Sequence, residues 1–133
     1  MLGKLQERRN ALGNESGFTL IELLVVLIII GVLLAIAVPS YLGFKDRAQQ
    51  RAAASDVRSA MPTAEAYFSD NDTYVGMDKT ALKAIDTGLS NDILNVTGTA
   101  KTYCISAQVG SWFAHVNGPG GTVQQKETAN ACP

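Results

Sequence analysis

The chain has 133 residues, 11 basic and 12 acidic side chains, one histidine and two cysteines. That length fits one domain with room for a helical extension. A formal net charge of −1 gives no electrostatic footprint for nucleic acid, and a single histidine leaves no multi-histidine metal site.

Residues 1–17 are short, polar and punctuated by Gly3, Gly13 and Gly17, in the manner of a leader. Lys4, Arg8 and Arg9 precede the next segment, and Lys45, Arg47 and Arg51 follow it, so the positive-inside rule does not fix its orientation. Between these flanks the chain is almost unbroken hydrocarbon from Phe18 to Val38. A helix over 18–38 would be about 31 Å long at about 1.5 Å per residue, enough to cross a bilayer core. One carboxylate, Glu22, interrupts it. In such a segment a carboxylate costs roughly 2.5–3.5 kcal/mol on insertion scales.

Pro39 closes the apolar run and is expected to kink or locally break a helix there, since it removes a backbone donor and crowds the preceding turn. The helical signal resumes beyond it. Ala53, Val57, Ala60, Met61, Ala64, Tyr67 and Phe68 recur at three- and four-residue spacing, with Arg47, Arg51, Asp56, Arg58 and Glu65 on the other face. One long helix from about Phe18 to Phe68 is predicted, with weak points at Pro39 and Pro62. Asp70-Asn71-Asp72 supplies the turn that ends it.

Residues 78–98 read as a mixed loop with a short helix at Lys79–Ile85. The alternation of Tyr103, Ile105, Ala107 and Val109 predicts a strand over 102–109, and Gly110-Ser111 a turn into a second strand over 112–117. Residues 118–121, GPGG, break the pattern, and 122–126 form a candidate third strand. His115 falls on the strand face opposite Ala114 and Val116 and is expected to be solvated.

Other motifs carry little chemistry. Asp70-x-Asp72 starts like a calcium loop, but Ala81 stands where its glutamate belongs and the central glycine is missing. Asn14, Asn71 and Asn95 head Asn-x-Ser/Thr triplets, a short pattern that often arises by chance. The chain has neither a phosphate-binding glycine loop nor a paired-carboxylate site, so no enzyme activity and no cofactor are expected. Cys104 and Cys132 read either as a disulfide, which would place the C-terminal part in an oxidising compartment, or as two unpaired thiols. The apolar run alone is also compatible with an ordinary membrane anchor, or with a secretory signal cut after Ala35-Ile36-Ala37.

Gly17-Phe18-Thr19-Leu20-Ile21-Glu22, then an apolar run closed by Pro39, resembles the prepilin signature of type IV pilins and pseudopilins. The resemblance covers roughly residues 13–68. It implies an α+β fold: a long N-terminal helix, apolar in its first half and amphipathic in its second, packed on a small C-terminal antiparallel sheet. It also implies a leader at 1–17, a transmembrane and filament-core helix at 18–40, and a head domain at 41–133. Prepilin peptidase would cut between Gly17 and Phe18 on the cytoplasmic side and methylate the new Phe18 amine. Glu22 would pair with that amine on a neighbouring subunit, and Pro39 would kink the helix. Cys104 and Cys132 would staple the tail to the sheet, worth on the order of 3–4 kcal/mol by loop closure. The partners implied are further copies of the chain, minor pilins, an inner-membrane assembly platform with its ATPase, and membrane lipid. The expected function is that of a pilus subunit, with a pseudopilin of type II secretion or DNA uptake as the rival and a monomeric membrane-anchored binding domain as the third reading.

Overall fold

The computed structural model describes residues 17–127 and Cys132. The leader's Lys4, Arg8 and Arg9, and the Asn14 triplet, lie outside the described residues. Two helices come first, α1 (Leu20–Asn71) and α2 (Lys79–Ile85). Four strands follow: β1 (Ile93–Gly98), β2 (Tyr103–Val109), β3 (Trp112–Gly118) and β4 (Gln124–Lys126). They form one antiparallel sheet in the order β1-β2-β3-β4. By internal contacts the chain divides into two units, Met1–Ser40 and Tyr41–Pro133.

In the first unit, α1 carries apolar residues on every side, and all of them from Leu20 to Val38 that are large enough to matter are exposed. The segment has a mean hydropathy of 3.2 and is long and apolar enough to cross a membrane. The helix α1 continues through Pro39 and Pro62 without interruption. Its C-terminus lies three residues beyond the expected one. Asn71 Nδ2 donates to Tyr67 O, and Asp72, at φ 57°, donates its N–H to Phe68 O. That left-handed residue closes the last turn in the usual way for a helix end.

In the second unit, the face of α1 toward the sheet is built from small residues: Ala53, Ala54, Val57, Ala60 and Ala64 are all fully buried. Alanines let the helix backbone approach the sheet closely while still removing apolar surface from water. The sheet contributes Ile93, Tyr103, Ile105, Ala107, Ala114 and Val116, and Leu82 of α2 closes one side. The two-residue connection from Val109 to Trp112 carries Gly110 at φ 61°, the positive φ that tight hairpins require. A Cβ there would also lie 2.4 Å from the Gln49 side chain, so the turn sits directly on α1.

Tyr103 organises the far end of the sheet. Its register partners are Gly98 on β1 and Gly118 on β3. A Cβ on Gly118 would fall 2.1 Å from the Tyr103 ring, and one on Gly98 would fall 2.0 Å from the Tyr74 carbonyl oxygen. The ring lies 4.9 Å from that of Tyr74, which in turn lies 4.6 Å from Phe68. Such offset aromatic contacts add to the area they bury. Tyr74 Oη donates to Glu65 Oε2 at 3.0 Å. The buried Tyr103 hydroxyl makes no close hydrogen bond, and burial, then the nearby charge of Glu65, push its pKa up to about 12.

Two expectations are corrected. Residues 93–98 are a strand, not part of a mixed loop. A register irregularity between Ile93 and Asn95 shifts the alternation by one, so that Leu94 and Asn95 are both exposed between buried Ile93 and half-buried Val96. A bulge of this kind erases the period of two by which a strand is read. His115 is not solvated but 7% exposed. The face it shares with Cys104 and Ser106 is itself covered, with both of those residues buried and Cys104 joined to Cys132.

Gly118→Ala should lower stability by about 1–3 kcal/mol, the usual range for forcing extra carbon into a packed core. Urea unfolding of the detergent-solubilised chain, followed through its aromatic near-ultraviolet dichroism, measures this. Gly120→Ser, whose Cβ position meets no neighbouring atom but whose φ is 79°, separates backbone strain from steric collision.

Candidate functional site

The N-terminal signature has a definite local structure. Gly17 and Phe18 precede the helix, and Phe18 is 86% exposed. Thr19 is the residue that starts it, with Leu23 N–H donating to Thr19 O. The Thr19 backbone N–H and hydroxyl both donate to Glu22 Oε2 at 2.8 Å, and Glu22 N–H donates back to Thr19 Oγ1 at 3.3 Å. This reciprocal arrangement is a capping box, Ser/Thr-x-x-Glu, which satisfies donors that a helix start leaves without intrahelical partners.

The box changes how Glu22 is understood. A carboxylate at the start of an apolar helix sits where the aligned peptide dipoles favour negative charge. Thr19 then supplies two donors from within the same chain. Both land on Oε2, and among the described residues Oε1 accepts no hydrogen bond. The site therefore has one satisfied oxygen and one that can take a further cation or donor. The role of Thr19 was missed in the sequence, although Thr19-Leu20-Ile21-Glu22 ahead of an apolar run is the written form of a capping box.

The other anticipated positions are placed as follows. Pro39 lies inside the continuous α1, next to the boundary between the two units. Cys104 and Cys132 form a disulfide with Cα atoms 5.7 Å apart and a sequence separation of 28. Asp70 and Asp72 belong to the end of α1, and no group of three or more ligating side chains that could hold a metal occurs among the described residues.

A helix that is apolar on all sides, opened by Gly-Phe-Thr-x-x-Glu and continued into the core of a small α+β head, defines the prepilin class of filament subunits. The family described as the prokaryotic N-terminal methylation motif matches residues 12–38. The chain is 37% identical over 109 residues to the type IV wide pilus major component of Thermus thermophilus, an alignment covering 76% of this chain and 81% of that protein. It is 39% identical over 70 residues to the type II secretion system core protein G of Aeromonas hydrophila, covering 53% of this chain and 46% of that one. It is 41% identical over 61 residues to the type IV major pilin of Myxococcus xanthus, covering 46% and 28%. Against the latter two, the chain spans less than half of the relative's length. No solved structure matches significantly. The chain belongs to the type IV pilin family.

Thr19→Ala should loosen the helix start by about 1 kcal/mol, the usual cost of losing a cap, and so speed amide exchange at residues 19–23 roughly fivefold. Thr19→Ser, which keeps the hydroxyl, should stay close to the parent. Hydrogen exchange of the full chain in detergent micelles reads both.

Proposed function

We propose that this chain is the structural subunit of a type IV pilus, made as a precursor and polymerised after its leader is removed. Prepilin peptidase cuts between Gly17 and Phe18, then methylates the Phe18 amine. Residues 18–40 hold the subunit in the cytoplasmic membrane, with 41–133 outside, where an oxidising compartment suits the Cys104–Cys132 bond. An assembly platform and its ATPase then draw subunits, including minor pilins, into a filament that leaves the cell surface.

The chemistry follows from the Glu22 site. Cleavage creates a cationic amine on Phe18, and the unoccupied Glu22 Oε1 of a neighbouring copy is its complement. Each charge is costly in hydrocarbon alone, and that cost falls when the two meet. Because the amine of one copy meets the carboxylate of the next, and not the reverse at the same contact, the contact is heterologous and propagates into a helical polymer. The uncut precursor has no such amine, so processing licenses assembly. The all-round apolar surface of 18–38 then serves twice, against lipid first and against equivalent helices afterwards. Pro39, which leaves the carbonyl of its own preceding turn without a donor, is the point of give between the two halves of α1.

The observation that carries the pilus reading is the reach of the Thermus alignment, 81% of that pilus protein. The secretion proteins G match over shorter stretches, between 46% and 59% of this chain among the relatives described as such. A pseudopilin of type II secretion or DNA uptake remains the second reading because those matches are of comparable identity. Intact-mass and N-terminal analysis of filaments sheared from cells should find a chain beginning at methylated Phe18. Filaments without this polypeptide, with the processed chain retained in the membrane fraction, would favour the pseudopilin. A chain beginning at Met1 would overturn both in favour of a monomeric anchored domain.

A further inference from the structure

His115 is 7% exposed and lies on the sheet face away from α1. Its register neighbours are Ser106 on β2 and Gln124 on β4. Ser106 is fully buried and its hydroxyl has no hydrogen-bond partner among the described residues. Beside His115 is a polar cavity of about 230 Å³, lined also by Asn117, Gly121, Thr122 and Gln124. The connection after β3 turns back tightly over this region: a Cβ on Gly121 would fall 1.8 Å from the Asn117 carbonyl oxygen. The strand it leads to, β4, has three residues and pairs only with β3. A three-residue edge strand is the weakest kind of sheet element.

The groups packed around the imidazole are almost all neutral. β2 offers Ser106 and Cys104, the latter in a disulfide; β3 offers Phe113 and Asn117; the connection offers Thr122. β4 offers Gln124 and Lys126, and among the described residues Lys126 is the charge that bears on His115. Among the described residues no carboxylate stands against it. An imidazolium formed here has no counter-ion and cannot stay buried without water.

We propose that the segment 118–127, made of the connection after β3 and the edge strand β4, is an acid-sensitive flap beside His115 at the sheet edge, and that His115 triggers its opening. With the flap open, Ser106 and His115 become accessible at the filament's outer surface or to a neighbouring subunit, while Cys104–Cys132 keeps the tail attached. The direction of the pH effect follows from linkage. Burial, then Lys126, hold the His115 pKa below its ordinary value, so the open state binds the proton better than the closed one. Closure is therefore complete above about pH 6.5 and is lost as pH falls through the lower folded value.

Hydrogen exchange of the oxidised full chain in detergent micelles, normalised for intrinsic rates at pH 7.5 and pH 5.0, tests this. Peptides within 118–127 should lose protection on acidification, by up to about tenfold per pH unit, the limit for one coupled proton. Peptides from the buried stretch of α1 should not change. His115→Gln should abolish the pH dependence. Lys126→Gln, at an exposed position, brings the closed-state His115 pKa nearer its ordinary value and should shift the opening to lower pH, with a smaller loss of protection, which keeps the test decisive if His115→Gln disturbs the sheet. Protection of 118–127 that is equal at both pH values, or an unchanged opening midpoint in Lys126→Gln, would overturn the proposal.

Discussion

A carboxylate inside a hydrocarbon helix must have donors at every stage of its existence. That constraint on Glu22 shapes the first five residues after Gly17. In the chain as described, Thr19 meets it through its backbone N–H and hydroxyl, both on Oε2. The helix dipole helps, because Glu22 stands in the first turn. The second oxygen is left for a partner from outside the chain, and in the proposed filament that partner is the Phe18 amine of a neighbour. The capping box thus makes the charge tolerable in a lone subunit without using up its capacity to pair.

The remainder of α1 solves a different problem with the same backbone. From Leu20 to Val38 it is apolar on every side, as the lipid and filament core proposed for it would require. From Ala53 to Ala64 it buries one face only, and alanine dominates that face so that the sheet can approach closely. The sheet answers with glycines where its largest side chain stands. Gly98 and Gly118 flank Tyr103 in the register and leave room for its ring and for the Tyr74 backbone. Alanines on the helix and glycines on the strands are two forms of one packing rule, in which large side chains require small neighbours.

Much of this was legible in the sequence, where the signal was periodic or local. The apolar run, the three-and-four spacing of Ala53 to Phe68, the short helix at Lys79–Ile85 and the β2–β3 hairpin all follow from side-chain periodicity and turn residues. The strand β1 was not legible, because its bulge leaves Leu94 and Asn95 both exposed and so breaks the phase between Ile93 and Val96. His115 misled for a related reason: alternation tells which face a residue is on, but not whether something covers that face. What encloses it comes from later in the chain, where Thr122 and Gln124 stand beside His115 and Cys132 is joined to Cys104 on the same face, and the pairing of the two cysteines was left open by composition alone. Gly118 reads as part of the break after the second strand, whereas it is the last residue of β3 and, like Gly98 at the end of β1, a point of close approach. In the candidate site, Gly17, Phe18 and Glu22 stood out, but Thr19 was absorbed into the signature as a whole.

The dependence of assembly on the Glu22 charge is measured most directly by co-expressing the parent chain with a tagged Glu22→Ala variant. The ratio of the two is then compared between the membrane fraction and sheared filaments, with the N-terminus of each determined. Charge pairing predicts that the variant is cut at Phe18 normally and accumulates in the membrane, yet is depleted from filaments by well over tenfold. A variant present in filaments at the same ratio as in the membrane would contradict it.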